Sequence, residues 1–133
     1  MIKEIKIENF KSIQSLNLEL GRLNVFIGAN GSGKSNILEG IGFGCAAAIH
    51  KLDNEFLAPR GIRVTNPTLM KSAFDLTNIK NEIKVAFAGK GKEDNEVNLE
   101  LTLTFEKKWI AKPSIQTNAL MNFLRKVLSK ALI

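Results

Sequence analysis

A chain of 133 residues with 44% apolar and 24% charged side chains has the composition of one ordinary globular domain with a modest core. Its single cysteine, Cys45, excludes an internal disulfide and suits a reducing compartment. The opening MIKEIKIENF lacks the apolar run of a secretory signal, and no stretch approaches the ~20 apolar residues of a membrane span, so a cytoplasmic protein without a membrane partner is expected.

The first elements follow from alternation. Ile2, Ile5 and Ile7 lie among Lys3, Glu4, Lys6 and Glu8, which predicts a half-buried strand. Leu16, Leu18 and Leu20 alternate with Asn17 and Glu19 and predict a second. Gly21-Arg22 then reads as the two-residue break of a hairpin leading into LNVFIG, a short, almost wholly apolar run of the kind buried on both faces of a sheet. After a glycine-rich loop, Ile37, Leu38, Ile41, Cys45 and Ala48 recur at helical spacing and predict a helix from Lys34 to about Ile49. Gly40, Gly42 and Gly44 each weaken that helix by up to ~1 kcal/mol relative to alanine, a cost that close packing against them would explain.

Residues 53–78 hold two of the three prolines and no clean period, so they read as an irregular insert. NEIKVAFAG and EVNLELTLTFE are predicted strands, the second alternating Val97, Leu99, Leu101, Leu103 and Phe105, with the polar GKGKEDNE between them as a hairpin connector. From Asn118 to Leu132 the apolar positions fit a terminal amphipathic helix. The net charge of +6 is uneven: Lys107, Lys108, Lys112, Arg125, Lys126 and Lys130 face Glu106 alone in the final 28 residues. That region reads either as a solvated face or as a contact for DNA phosphates. Trp109, among lysines, is open to partial burial beside the strand or to stacking on a base.

The stretch that carries chemistry is GANGSGKSN, Gly28 to Asn36. It matches the Walker A pattern G-x-x-x-x-G-K-[ST], with Gly28, Gly33, Lys34 and Ser35 in the fixed places. Glycines let the backbone curl so that successive N–H groups point at an anion. The helix beginning at Lys34 adds free N–H groups and the positive end of its dipole. The lysine ammonium reaches the β- and γ-phosphates of ATP, and the Ser35 hydroxyl is the expected Mg²⁺ ligand. An apolar run before the loop and a helix pattern after it favour a phosphate cradle over an accidental flexible loop.

IKEIKIENFKSIQSLNLEL followed by LNVFIGANGSGKSNILEGI resembles the N-terminal segment of the ATPase heads in the SMC, RecF-like and OLD-like families, which are ABC-type AAA family ATPases. The resemblance covers residues 1–43. FLAPRGIRVTNPTLMKSAFDL is similar to a segment in bacterial ATPases tied to phage defence or abortive infection. The resemblance implies an α/β P-loop NTPase fold, with a partly antiparallel N-terminal sheet flanking the phosphate-loop strand and helix, and residues 1–133 as the N-terminal portion of a head. It implies that Asn30, Gly31, Ser32, Gly33, Lys34, Ser35 and Asn36 serve as the phosphate loop with ATP and Mg²⁺ as cofactors. It also implies that Lys11, the basic residue after Asn9-Phe10, stands beside the phosphates; a solvated lysine is the competing reading. Lysine supplies a point charge there without the fork of an arginine.

Two departures shape the expectation. Hydrolysis in these families uses an apolar strand ending in Asp-Glu, and a Ser-Gly-Gly loop completes the partner's site across a dimer. KLDNEF and LTFEKK carry acids but lack the apolar run or the acidic pair. His50 reads as a helix-end residue facing the C-terminal dipole, and Cys45 as a small core residue. No catalytic residue is identifiable. The expected function is therefore ATP·Mg binding by the first part of a head, in DNA repair or anti-phage defence, without hydrolysis by the chain alone. Its expected partner is the other half of the head or a second copy. That other half should cover apolar faces on the strand Val97–Phe105 and on the terminal helix. The rivals are a non-catalytic DNA- or protein-binding remnant, and a small P-loop phosphotransferase, for which Arg60 and Arg63 would be the only nearby lid arginines.

Overall fold

The computed structural model describes residues 1–63, 65, 67–72, 80–90, 96–105 and 109–113. Strands β1 (Ile2–Phe10) and β2 (Ile13–Glu19) come first, then helix α1 (Lys34–Ala48) and two four-residue helices, α2 (Asn54–Leu57) and α3 (Pro67–Met70). Strands β3 (Ile83–Lys90), β4 (Glu96–Phe105) and β5 (Trp109–Pro113) follow. The five strands form one sheet in the order β2-β1-β3-β4-β5, and every neighbouring pair is antiparallel.

Register explains the core. Ile5 stands opposite Leu18 and Phe87, and Ile7 opposite Leu16 and Val85. Phe87 and Val85 in turn face Leu99 and Leu101. Since side chains alternate across a strand, these residues share one face with Ile83 and Leu103. Ile5, Ile7, Ile83, Val85, Phe87, Leu99, Leu101 and Leu103 are all buried. The intervening Lys6 and Lys84 are exposed on the other face.

Helix α1 lies across the apolar face and touches β1, β3, β4 and β5. Its glycines let it lie close. A methyl on Gly40 would stand 3.0 Å from Ile7 Cδ1, and one on Gly44 only 2.5 Å from Val85 Cγ1 and 3.0 Å from Phe87 Cζ. Phe43, between them in sequence, is buried, with its ring centroid 5.7 Å from that of Phe10. Cys45 packs partly buried beside this core, and burial pushes its thiol up to about 11. At neutral pH it stays protonated and unreactive, in keeping with a packing role. His50 follows the C-cap Ile49 with φ 58°, exposed, its N–H donating to the Ala47 carbonyl.

The structure departs from the sequence reading in four places. The β1–β2 hairpin closes at Lys11-Ser12, with Phe10 opposite Ile13, and Gly21-Arg22 does not join paired strands. LNVFIG makes no ladder, and Leu23, Val25 and Ile27 are 83%, 71% and 91% exposed. A doubly apolar run needs neighbours on both sides, and no described strand supplies one. The apolar side of β4 is not open to a partner, because Leu99, Leu101 and Leu103 lie buried in the core that α1 covers. Finally, β5 forms from WIAKP, too short a run to show a period. The connector 91–95, the predicted helix Asn118–Leu132, and Lys107, Lys108, Arg125, Lys126 and Lys130 lie outside the described residues.

The close packing at these glycines generates a test. Gly44→Ala drives a methyl into a β-branched side chain and a ring, and overpacking of this kind costs about 1–3 kcal/mol. Gly42→Ala meets the terminal Cδ1 of Ile62 at 2.7 Å, which can swing aside while the helix gains up to ~1 kcal/mol of propensity. Urea unfolding should show Gly44→Ala clearly destabilised and Gly42→Ala near neutral. Equal effects would remove the packing explanation.

Candidate phosphate-loop site

The loop is built where α1 begins. Gly31 and Gly33 take φ of 81° and 91°, a left-handed conformation that glycine adopts without strain. Ser32 N–H donates to the Ala29 carbonyl at 3.2 Å and closes the turn. Gly33 is the N-cap of α1 and makes no side-chain cap, and the first turn holds no acid. The first amides of the helix are therefore left for an external acceptor, at the end where the dipole favours negative charge. Gly28 also serves the curl. A methyl there would stand 2.8 Å from Ser32 Oγ.

Lys34 folds back over this loop. Its ammonium donates to the carbonyls of Gly28 and Ala29, both at 2.6 Å, and to Ser32 Oγ at 3.3 Å. Those bonds hold a positive charge at the mouth of the curl, beside the uncapped amides. Ser35 lies on the first turn, and Asn36 Nδ2 donates to Ser12 Oγ at 2.6 Å. The β1–β2 turn is thus tied to the start of α1, and Ser12 Oγ lies 3.2 Å from where a Gly33 methyl would be. Beside the loop runs an open cleft of about 570 Å³, lined by Ser12, Ile13, Gln14, Ser15, Leu16, Ser32, Gly33 and Ile37.

Lys11 sits differently from the expectation. Its backbone is left-handed, φ 49°, and its N–H donates to the Met70 carbonyl at 2.8 Å. Its ammonium pairs with Glu39 Oε2 and donates to the Arg63 carbonyl at 3.2 Å. Glu39 is buried on α1, and its other oxygen accepts from Arg63 Nη2 at 3.0 Å and Nε at 3.2 Å. The residue of the turn that touches the phosphate loop is Ser12, one position on. The sequence reading missed Ser12 and Glu39 and named Arg63 only as a lid candidate. Glu39 carried a signal: it is the one acid on a helix whose neighbours are apolar, and a buried carboxylate requires a cation. Among the described residues no group of three or more His, Cys, Asp or Glu side chains could hold a metal. Nor is any described helix long and apolar enough to cross a membrane.

Comparison with known proteins identifies the family and the fold. The AAA domain family matches residues 4–129. The DNA replication and repair protein RecF of Clostridium tetani is 38% identical over 55 residues, and the RecF of Lactococcus lactis 36% over 55. Each alignment covers 41% of this chain and 15% of the relative. The DNA double-strand break repair Rad50 ATPase of Sulfolobus acidocaldarius is 47% identical over 45 residues, 33% of this chain and 5% of that protein. The aligned part of the chain thus spans a small fraction of these relatives. A solved structure from work on ATP-driven dimerization and DNA-stimulated activation of SMC ATPases superimposes with a TM-score of 0.64 at 19% identity, covering 99% of this chain and 80% of that one. It shares the fold. The chain belongs to the AAA domain family, and its matched parts resemble segments of RecF and of the Rad50 ATPase.

Proposed function

We propose that the chain binds ATP with Mg²⁺ at Gly28–Asn36, as the phosphate-holding part of an SMC/RecF-like ATPase head that acts in DNA repair. The observation that carries this reading is the Lys34 ammonium held over a curled glycine loop at the uncapped start of α1. The residues fit the ligand: amides and an ammonium suit phosphate oxygens, and the Ser35 hydroxyl suits Mg²⁺. Bound Mg²⁺ would neutralise charge on the phosphates. The cleft beside Ser12 and Ile37 is large enough for a nucleoside moiety and carries both polar and apolar walls. The phage-defence alternative rests on the likeness of the segment 56–76 and has no support beyond it. A cytoplasmic location is part of the same proposal.

ATP·Mg binding should be weak in this chain alone, and turnover should stay at background, since no acidic pair follows an apolar strand in the sequence. Lys34→Ala should abolish binding by removing the charge that meets the β- and γ-phosphates. Calorimetric titration and a phosphate-release assay decide this. Turnover well above background that disappears in Lys34→Ala would show a complete catalytic site.

The exposed Leu23, Val25 and Ile27 suit a strand whose sheet neighbours belong to the rest of such a head. We expect co-expression with a polypeptide carrying the acidic strand and the Ser-Gly-Gly loop to improve solubility. ATP should then raise the melting temperature of the pair more than that of the chain, since ligand stabilises only where it binds tightly. A monodisperse monomer whose melting ignores that polypeptide would refute the assignment.

DNA is the proposed further partner, through the basic residues after Phe105. Neutralising Lys107, Lys108, Lys112, Arg125, Lys126 and Lys130 should flatten the salt dependence of duplex binding by roughly 0.9 for each phosphate that a basic residue no longer neutralises. An unchanged affinity and slope in the neutralised variant would exclude that region as the DNA-binding surface.

A further inference from the structure

Glu39 is the only buried acid on α1, and it faces two cations of opposite character. Lys11 reaches it from the β1–β2 turn and is 13% exposed, whereas Arg63 reaches it from the segment after α2 and is 72% exposed. Each carboxylate oxygen has its own partner, Oε2 for Lys11 and Oε1 for Arg63. Glu39 lies one helical turn beyond Ser35 on α1, so the two share a face. Lys11 precedes Ser12, whose hydroxyl is bonded to Asn36 beside Gly33. A lysine is a point charge on a flexible four-carbon stem, here rooted one residue from a side chain that touches the phosphate loop.

We infer that Glu39 is a holding partner for Lys11: it competes with bound phosphate for the Lys11 ammonium, and Arg63 keeps Glu39 paired when Lys11 leaves. The inference rests on the nucleotide reading above and adds the regulation of that site. The physical reason lies in the doubled pairing. A buried carboxylate stripped of its only cation is strongly unfavourable, so a single Lys11–Glu39 pair would resist giving up its lysine. With Arg63 on the second oxygen, the transfer leaves Glu39 satisfied. Lys11 is then a positioning charge whose availability Glu39 and Arg63 set. The turn itself is pinned by the Lys11 N–H bond to Met70 and by the Ser12–Asn36 bond, so the exchange is assigned to the flexible side chain.

The test is ATP·Mg titration of the full chain in a double-mutant cycle, with melting curves to confirm that each variant folds. Glu39→Gln should tighten ATP binding about fivefold or more, the lower range for coupled sites, and the gain should vanish when Lys11→Met is added. Arg63→Ala should weaken binding in the wild-type background and have no effect beside Glu39→Gln. A Glu39→Gln gain that survives Lys11→Met would be plain removal of negative charge and would overturn the inference, as would no gain at all. If the wild-type chain fails to bind ATP, the nucleotide reading falls with it. If wild-type binds, Lys34→Ala does not and Glu39→Gln gains nothing, only this inference falls. Should Glu39→Gln fail to fold, ¹⁵N-lysine-labelled wild-type chain gives the answer, with Lys11 assigned by Lys11→Arg. Added ATP should shift the Lys11 ammonium signal, and a shift at Lys34 with none at Lys11 overturns the proposal.

Discussion

The close approach of α1 to the sheet fixes most of what the site can do. Gly40 and Gly44 lie one turn apart on the same face, and each occupies a place where a methyl would press on Ile7, Phe10, Val85 or Phe87. The helix axis is therefore set by backbone packed against strand side chains, with little slack for tilting. Its N-terminus follows rigidly. Because α1 crosses β1, β3, β4 and β5, its first turn emerges beside the β1–β2 turn, and the Asn36–Ser12 bond ties the two together. An anion held by the first amides of α1 would meet a loop whose helix end is as firm as the core. The cost in helix propensity at three glycines, up to ~1 kcal/mol each, is offset by this placement.

The same crossing accounts for the charge arrangement. A helix laid flat on a sheet buries its sheet-facing positions, and Glu39 falls among them, with Gly40 and Phe43 close by. A carboxylate there is tolerable only when paired and hydrogen-bonded on its remaining lone pairs. Lys11 and Arg63 meet that condition from two separate parts of the chain. Lys11 does so from a left-handed backbone position, uncommon for a lysine. The turn conformation and the buried acid thus explain each other: the turn directs the stem toward α1, and the acid gives the ammonium a partner.

Much of this was legible from the residues. The alternation of Ile5 and Ile7, and of Leu99, Leu101 and Leu103, placed β1 and β4 and their apolar sides, although the side of β4 expected to await a partner is buried within the chain. The helical spacing from Ile37 to Ala48 bounded α1 to within a residue or so. The curl of the glycine loop was readable from its residue types, and Gly31 and Gly33 do take positive φ. What was not legible depended on tertiary neighbours. Lys11 and Ser12 are consecutive, and only the closing geometry of the hairpin decides which one touches the loop. Arg63 lies 24 residues from Glu39, inside a segment without a period, so no local pattern joins them. β5 owes its existence to pairing with β4, since five residues of mixed character have no preference of their own.

LNVFIG was read correctly as apolar and incorrectly as covered, and the reason bears on how the site works. The loop from Gly28 to Gly33 has two ends. One runs into α1 and inherits its rigidity; the other runs back through Ile27, Val25 and Leu23, which are largely exposed and make no ladder. Gly21 and Asn24 bond to each other at 2.8 and 3.1 Å, which steadies the turn after β2 but stops short of the loop. A phosphate cradle gains affinity from donors already fixed in place, because ordering them on binding costs free energy. Here the amide donors of α1 are fixed by the helix, while the carbonyls of Gly28 and Ala29 that hold the Lys34 ammonium belong to the unsupported side. Covering Leu23, Val25 and Ile27 would bury apolar surface at roughly 25 cal/mol per Å² and, by the same act, steady the carbonyls that aim the lysine. On the proposed nucleotide-binding reading, affinity and an apolar neighbour of this segment would be coupled through one short loop, with no need for contact between the nucleotide and that neighbour.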